Sequence, residues 1–262
     1  MKLGVFYNDK QTDNENAESL ARHIRERGGD AFVFSDVSRI EGVERLLVLG
    51  GDGTVLRAAK RASELKIPLV GVNYGNLGFL AEFERGEEER AVALAMSDCP
   101  VVERSMLEID LDGKKSYCLN ELSLLHAVNE KRPSGVVGIS VEIDGSKAGD
   151  FSADGLIVAT PTGSTAYSLS AGGCVMTPDS KTFILTPVCA FSLRSRPIVF
   201  PDSCTLTLSL KKDTLMLYGD GDYLGKVSEK NRLTIKKAER TAMLLTADPR
   251  GYFRRLTEKI NH

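Results

Sequence analysis

Short apolar runs alternate with stretches of helical periodicity over the first hundred residues, and this alternation restricts the fold more than any other feature. The runs are residues 3–7, 31–34, 46–49 and 68–72. Between the last two, Val55, Ala59 and Ala62 recur at helical spacing. Strands that alternate with helices in this way form a parallel sheet, because each helix returns the chain to the same edge. We therefore predict an α/β domain with a parallel sheet over residues 1–100.

A different pattern begins after residue 100, where short apolar runs are separated by turn signals. Asp112-Gly113 and Asp144-Gly145 are dipeptides typical of tight β-hairpins. Further strand candidates lie at residues 156–159, 183–188, 206–210, 215–218 and 233–235. These features predict a β-rich, mostly antiparallel domain over residues 101–238, interrupted by one helix after Pro161.

The C-terminal segment, residues 239–262, carries an apolar pattern of its own. Tyr252, Phe253 and Leu256 fall on one face of a predicted final helix. Such a face needs apolar surface to cover, so we expect the segment to pack on one of the two domains.

Charge balance and cysteine spacing exclude several classes of function. The formal net charge of −2 gives no strong attraction for a nucleic-acid backbone. The five cysteines lie far apart without a CxxC pair, so neither a zinc site nor a disulfide framework is indicated. No apolar stretch reaches the ~20 residues of a membrane helix, and the N-terminal run is too short for a signal peptide. We expect a cytoplasmic protein with no nucleic-acid or membrane partner.

The segment Gly50-Gly51-Asp52-Gly53-Thr54 joins a predicted strand to a predicted helix. At the carboxyl end of a parallel strand, glycines let backbone amides approach phosphate, and the helix N-terminus attracts anions. A carboxylate among such amides is unfavourable for phosphate unless it holds a metal ion or accepts a proton from an attacking hydroxyl. Asp52 is therefore a candidate general base. The alternative for an isolated Gly-Asp-Gly is a turn in which Asp caps the helix.

A second polar cluster, Thr-Pro-Thr-Gly-Ser-Thr-Ala-Tyr, occupies residues 160–167 after a predicted strand. Hydroxyls and a glycine at a strand end can supply donors to a ribose, a diphosphate or a base edge. Standing alone, such a stretch is more often an ordinary loop with a helix cap. Together with the first cluster it favours a nucleotide site.

Three motifs, in order, resemble the NAD kinase family: GGDGT at residues 50–54, Asn120-Glu121 on a later strand, and TPTGSTAY at residues 160–167. Family-like segments at residues 75–80, 154–155 and 195–197 extend the resemblance over nearly the whole chain. The eight-residue match is the specific one, because phosphofructokinases and lipid kinases share the Gly-Asp-Gly turn. The resemblance implies phosphorylation of the 2′-hydroxyl of the adenosine ribose of NAD, giving NADP, with ATP or polyphosphate as donor.

The resemblance also implies roles for individual residues. Asp52 matches the general base, and Asn120 with Glu121 matches the pair that binds the adenosine part of NAD. The other implied nucleotide-binding residues are Gly51, Gly53, Thr54, Arg57, Lys131, Asp150, Thr162, Gly163, Ser164, Thr165, Ala166 and Tyr167. A divalent ion, Mg²⁺, is implied on the donor phosphates and not on protein ligands. The family further implies a C-terminal helix that returns to the first domain, and a homodimer or homotetramer.

Two other functions stay open on the sequence alone. A lipid or sugar kinase could use the same Gly-Asp-Gly turn, but it gives no reason for Asn120-Glu121 or for residues 160–167. A non-catalytic NAD(P)-binding sensor could keep both clusters, but it has no use for the carboxylate at residue 52. Ser152, Phe191 and Asp222 depart from the residues usual in the family, and we expect these departures to affect local roles and not the family assignment. Ser152 stands where many relatives have Arg, so we expect a weaker contact with a phosphate there.

Overall fold

The computed structural model describes residues 1–8, 12, 14–75, 78–126, 136–253 and 256–257. The chain divides into two compact units, Met1–Arg104 with Arg240–His262, and Ser105–Glu239. The first unit is an α/β unit with a mainly parallel sheet, and the second is antiparallel and β-rich. The predicted fold class is therefore confirmed.

The elements are numbered in chain order. The helices are α1 (Asn14–Glu26), α2 (Asp52–Leu65), α3 (Glu88–Met96) and α4 (Tyr167–Ser170), with 3₁₀ turns at Val37–Arg39 and Thr162–Thr165. The strands are β1 (Lys2–Tyr7), β2 (Asp30–Phe34), β3 (Arg45–Leu49), β4 (Leu69–Asn73), β5 (Phe83–Glu84), β6 (Val101–Arg104), β7 (Leu107–Leu111), β8 (Lys114–Cys118), β9 (Glu121–His126), β10 (Val137–Ile143), β11 (Ser146–Ala153), β12 (Gly155–Ala159), β13 (Thr182–Val188), β14 (Ile198–Pro201), β15 (Leu206–Leu210), β16 (Thr214–Gly219), β17 (Asp222–Ser228), β18 (Leu233–Lys237) and β19 (Ala242–Leu245).

The sheet of the first unit has the strand order β2-β1-β3-β4-β19-β6, and β5 pairs with β4. Strands β1 to β5 run parallel, whereas β6 is antiparallel to β19. Central strands β3 and β4 are buried almost throughout. A strand covered on both faces is apolar along its length, which is why these strands are visible in the sequence as short apolar runs.

Strand β19 carries the C-terminal segment back into the first unit. It lies between β4 and β6, with Leu244 paired to Leu69. The sequence pattern predicts a helix in this segment and no strand. Tyr252, Phe253 and Leu256 do have helical conformation, with Tyr252 and Leu256 half-buried and Phe253 63% exposed. The return to the first unit is confirmed, but a strand of four residues makes the main connection.

The second unit consists of two six-stranded antiparallel sheets, ordered β11-β10-β15-β18-β7-β8 and β14-β13-β12-β9-β16-β17. One hydrophobic core contains side chains from both sheets, for example Leu107 and Ile109 from the first and Leu122 and Leu124 from the second. The unit is therefore a β-sandwich. Within the described residues of the whole chain, no helix has the length and apolar character needed to cross a membrane.

Tight Asp-Gly turns join three pairs of strands in the sandwich. The aspartates at residues 112, 144 and 220 have φ of +52°, +49° and +50°, and the following glycines have φ of +88°, +75° and +83°. Positive φ at both central positions is the type I′ geometry, which matches the twist of the paired strands. The two hairpins predicted from Asp112-Gly113 and Asp144-Gly145 are confirmed.

Candidate active site

The Gly-Asp-Gly turn leads from β3 directly into α2. Gly51 is the N-cap residue of this helix, and Asp52 is the first helical residue. The Asp52 side chain does not cap the helix. Its Oδ2 accepts a hydrogen bond from the backbone N–H of Phe79 at 2.7 Å, and its Oδ1 accepts one from Leu80 at 3.1 Å. The helix-capping alternative for Asp52 is therefore wrong, and the carboxylate is oriented from outside its own helix.

Gly78 makes this orientation possible. A Cβ atom added at residue 78 would overlap Oδ1 of Asp52. The absence of a side chain at this position thus lets the backbone of the next two residues reach the carboxylate.

Glu82 ties the same segment to the C-terminal return. Its backbone N–H donates to the Gly71 carbonyl at 3.1 Å. Its Oε1 accepts from the Thr246 hydroxyl and from the Ala247 backbone N–H, each at 3.0 Å. Asp52, the segment that contacts it and the end of β19 are thus linked by hydrogen bonds within the first unit.

The other predicted residues of this turn fall into two groups. Thr54 is buried, and its hydroxyl accepts a hydrogen bond from Nδ2 of Asn8 at 3.1 Å. Gly53 and Arg57 are exposed. A Cβ added at Gly53 would meet no atom of the described residues within 4 Å, and the Arg57 guanidinium lies 5.9 Å from the Phe6 ring centroid. Packing among the described residues therefore gives no reason for glycine at residue 53.

In the second unit, the Asn120-Glu121 pair and residues 160–167 lie side by side. The Thr160 N–H donates to the Asn120 carbonyl at 2.9 Å, and the Thr160 hydroxyl donates to the Leu119 carbonyl at 2.6 Å. A Cβ added at Gly163 would overlap the Asn120 carbonyl. Two motifs separated by about forty residues are thus in backbone contact because β9 pairs with β12.

Three buried polar atoms in this cluster have no hydrogen-bond partner among the described residues. They are Oδ1 of Asn120, Oε2 of Glu121 and Oγ1 of Thr162. An unsatisfied buried polar atom costs about 1–3 kcal/mol. A concentration of such atoms in one place therefore indicates that a ligand satisfies them.

The neighbouring hydroxyls are already satisfied. Ser164 is fully buried, and its hydroxyl donates to the Pro161 carbonyl at 2.7 Å and accepts from the Met176 N–H at 3.0 Å. The Thr165 hydroxyl donates to the Thr162 carbonyl at 3.3 Å. Within residues 160–167, Thr162 is thus better placed than Ser164 to meet a ligand through its side chain.

Glu121 has unusual electrostatics. Burial is the main cause that raises its pKa to about 7, and the negative charge of Asp220 raises it further, against a hydrogen bond from the Tyr167 N–H. The sequence predicts no role for Asp220. The only sequence signal was the dipeptide Asp220-Gly221, which marks a hairpin turn and does not reveal what the carboxylate contacts.

The remaining predicted residues lie apart from this cluster or outside the described residues. Asp150 lies on β11, in the other sheet, and accepts from Lys147 at 2.7 Å and pairs with Lys211 at 3.1 Å. Hydrogen bonds from these lysines lower the pKa of Asp150. Ala166 and Tyr167 form the junction between the 3₁₀ turn and α4. Lys131 lies outside the described residues.

The departures from the usual family residues are all in the second unit, at its surface. The Phe191 side chain is 80% exposed, and its backbone N–H donates to the Ser152 carbonyl at 2.9 Å. Two of the three departures are therefore neighbours. Asp222 is exposed at the start of β17.

Comparison with known proteins identifies the family. Residues 5–98 match the model of the ATP-NAD kinase N-terminal domain, and residues 119–247 match that of the ATP-NAD kinase C-terminal domain. The NAD kinase of Koribacter versatilis is 39% identical over 242 residues, covering 86% of this chain and 83% of that protein. The NAD kinase of Fusobacterium nucleatum is 31% identical over 264 residues, covering 99% and 97%. An Archaeoglobus fulgidus NAD kinase solved in complex with ATP superposes with a TM-score of 0.84 at 26% identity, covering 100% and 99%. The chain belongs to the NAD kinase family, a family of phosphotransferases.

Proposed function

We propose that this protein transfers a phosphoryl group from ATP to the 2′-hydroxyl of the adenosine ribose of NAD, giving NADP. The observation that carries the proposal is the group of three buried, unsatisfied atoms on Asn120, Glu121 and Thr162. Adenosine offers hydrogen-bond donors and acceptors on its base and ribose. An amide oxygen, a carboxyl oxygen and a hydroxyl at one end of a sandwich provide the complementary set.

In this proposal Asp52 is the general base. Two backbone N–H groups hold its carboxylate, and a carboxylate has about four acceptor positions, so it can also accept from a ribose hydroxyl. The hydroxyl proton moves to Asp52 as the bond from the ribose oxygen to phosphorus forms. The bond between that phosphorus and the bridging oxygen breaks, and ADP leaves.

The N-terminus of α2 is the proposed site for donor phosphates. Gly53 lies in its first turn, where an added Cβ would meet no described atom within 4 Å, and a helix N-terminus presents backbone N–H groups to anions. The relative from Archaeoglobus fulgidus was solved with ATP, which supports the choice of donor.

A divalent ion, Mg²⁺, is proposed to bind mainly through the donor phosphates. Among the residues that the structure describes, no three His, Cys, Asp or Glu side chains are grouped as a metal site. Phosphate oxygens are ligands that Mg²⁺ prefers, and an ion bound there would shield their charge. A homodimer or homotetramer and a cytoplasmic location also remain proposals from the sequence.

A coupled assay tests the proposed function. Purified protein is incubated with NAD, Mg²⁺ and either ATP or polyphosphate, and NADP is followed with an NADP-specific dehydrogenase. We expect NADP with at least one donor. NAD binding without NADP formation from either donor would indicate the sensor, whereas phosphorylation of diacylglycerol or a sphingoid base in place of NAD would indicate a lipid kinase.

A further inference from the structure

Three Asp-Gly hairpins in the second unit share one hydrogen-bond arrangement. In each Asp-Gly hairpin, the aspartate donates its backbone N–H to a carbonyl of an adjacent segment and accepts a backbone N–H from that segment with its carboxylate. Asp112 bonds Arg232 in this way, at 3.2 and 2.8 Å, and Asp144 bonds Thr205, at 2.9 and 2.8 Å. These backbone hydrogen bonds join the two turns to Arg232 and Thr205 and not to Asn120, Glu121 or residues 160–167, so the two turns serve as structural references.

Asp220 has the same arrangement, with residues 119–121 as its partners. Its N–H donates to the Glu121 carbonyl at 2.9 Å. Its Oδ2 accepts from the Leu119 N–H at 2.7 Å, and its Oδ1 accepts from Asn120 and Glu121 at 2.8 and 3.1 Å. Three successive amides thus converge on one carboxylate, compared with one backbone amide at Asp112 and at Asp144.

We infer that Asp220 is a positioning residue for nucleotide binding, because it holds the backbone from which Asn120 and Glu121 project. The inference rests on the proposed function of that pair. The backbone N–H groups of Asn120 and Glu121 both bind Asp220, so a change of backbone geometry here moves both side chains. Hydrogen bonds to a charged group are roughly twice as strong as neutral ones, which suits a carboxylate to this task.

The charge of Asp220 provides a second, independent readout. In the part of the chain that the structure describes, Asp220 is the charged side chain that acts on Glu121, and the Tyr167 N–H is the donor that opposes it. Removing the charge of Asp220 while keeping its shape should therefore lower the pKa of Glu121. Removing the charge of Asp112 or Asp144, which do not act on Glu121, should leave that pKa unchanged.

The test compares Asp220→Asn with Asp112→Asn and Asp144→Asn. NAD affinity is measured by calorimetry, and the pKa of Glu121 is measured by ¹³C NMR of its carboxyl, assigned by its absence in Glu121→Gln. We expect the Kd for NAD to rise about tenfold in Asp220→Asn, since one acceptor is replaced by a donor. The Glu121 pKa should fall in the same variant. Both controls should keep the parent values.

Asp220→Glu covers the case in which Asp220→Asn does not fold. It keeps the charge but adds a methylene, so the Glu121 pKa should stay near 7 while NAD binding weakens. Parent-like NAD affinity in the folded Asp220 variants would overturn the inference. If Asn120→Ala and Glu121→Gln also bound NAD like the parent, the proposed role of the pair would fail; if they bound it more weakly, only the inference about Asp220 would fail.

Discussion

The carboxylate of Asp52 occupies the space that a side chain on residue 78 would need. A Cβ added at Gly78 would overlap Oδ1 of Asp52, and the next two backbone N–H groups along the chain bind both carboxylate oxygens. The position of the Asp52 carboxylate therefore depends on glycine at residue 78, although the two residues are 26 residues apart in the sequence.

Gly78→Ala should lower kcat and leave NAD binding nearly unchanged. The new methyl group displaces the Asp52 carboxylate, and loss of a general base typically lowers a rate by ~10²- to 10⁴-fold. Steady-state kinetics and calorimetry on the variant provide the two measurements. Gly138→Ala is the matched control, since among the described residues its added methyl group would meet only Lys211 Cδ, at 3.9 Å. A kcat within a few-fold of the parent would mean that Asp52 has room to move without loss of function.

Asp52→Asn should lose turnover and also some stability. The side-chain amide offers one acceptor where the carboxylate offers two, so one backbone N–H near residue 79 loses its partner, at a cost of about 1–2 kcal/mol. The decisive measurement is the kcat of the parent and of Asp52→Asn at one temperature, below the thermal unfolding midpoints of both proteins. If Asp52→Asn retained turnover within a few-fold of the parent, Asp52 would be a structural carboxylate and not a base.

The sequence predicted the strands well where burial makes them apolar, and poorly elsewhere. The predicted run at residues 206–210 coincides with β15, whereas β19 was missed because four residues show no period. The sequence pattern does not predict contacts between residues that are far apart in the chain. The bonds from residues 79 and 80 to Asp52 come from an irregular segment, and the three amides on Asp220 depend on which strand lies beside β16. Periodicity predicts that a strand exists and gives no information about its neighbour.

Glu121→Gln should stabilise the protein at pH 8 and have little effect at pH 4.5. The pKa of Glu121 is about 7 in the folded protein against 4.5 for the ordinary group, so the folded state binds more protons between these values. Stability from this group is therefore present below pH 4.5 and is lost as the pH rises through 7. Removing the charge should recover about 1–3 kcal/mol at pH 8. Urea unfolding of parent and variant at both pH values measures the difference.

Glu108→Gln is the matched control, for which we expect a change of the opposite sign in the free energy of unfolding. Burial alone would raise the pKa of Glu108, but hydrogen bonds and charges from Lys115 and Lys236 lower it overall. Its contribution is therefore present above the ordinary pKa and is lost as the pH falls, so the variant should be less stable than the parent at pH 8. Equal stabilities of parent and Glu121→Gln at pH 8 would show that Glu121 is ionised at little cost.

Two C-terminal truncations should differ sharply in their effect. Deleting residues 249–262 leaves β19 and the Glu82 contacts in place and exposes the surface under Tyr252 and Leu256, so the thermal midpoint should fall by a few degrees. Deleting residues 241–262 removes a strand from inside the sheet and leaves β4 and β6 without their partner. That protein should fail to fold. Equal midpoints for the full chain and the shorter deletion would mean that the last residues contribute no packing.

Gly53→Ala separates the proposed phosphate site from the needs of the fold. Residue 53 lies in the first turn of α2, is exposed, and has open space where a methyl group would go. Alanine favours helix over glycine by up to about 1 kcal/mol, so the variant should be as stable as the parent or slightly more stable. If donor phosphates approach this backbone closely, the methyl group obstructs them, and the KM for ATP should rise while the Kd for NAD stays unchanged. Thermal unfolding, initial-rate kinetics against ATP and calorimetry with NAD measure the three quantities. Parent-like kinetics for ATP in a stable Gly53→Ala protein would move the donor away from this helix N-terminus.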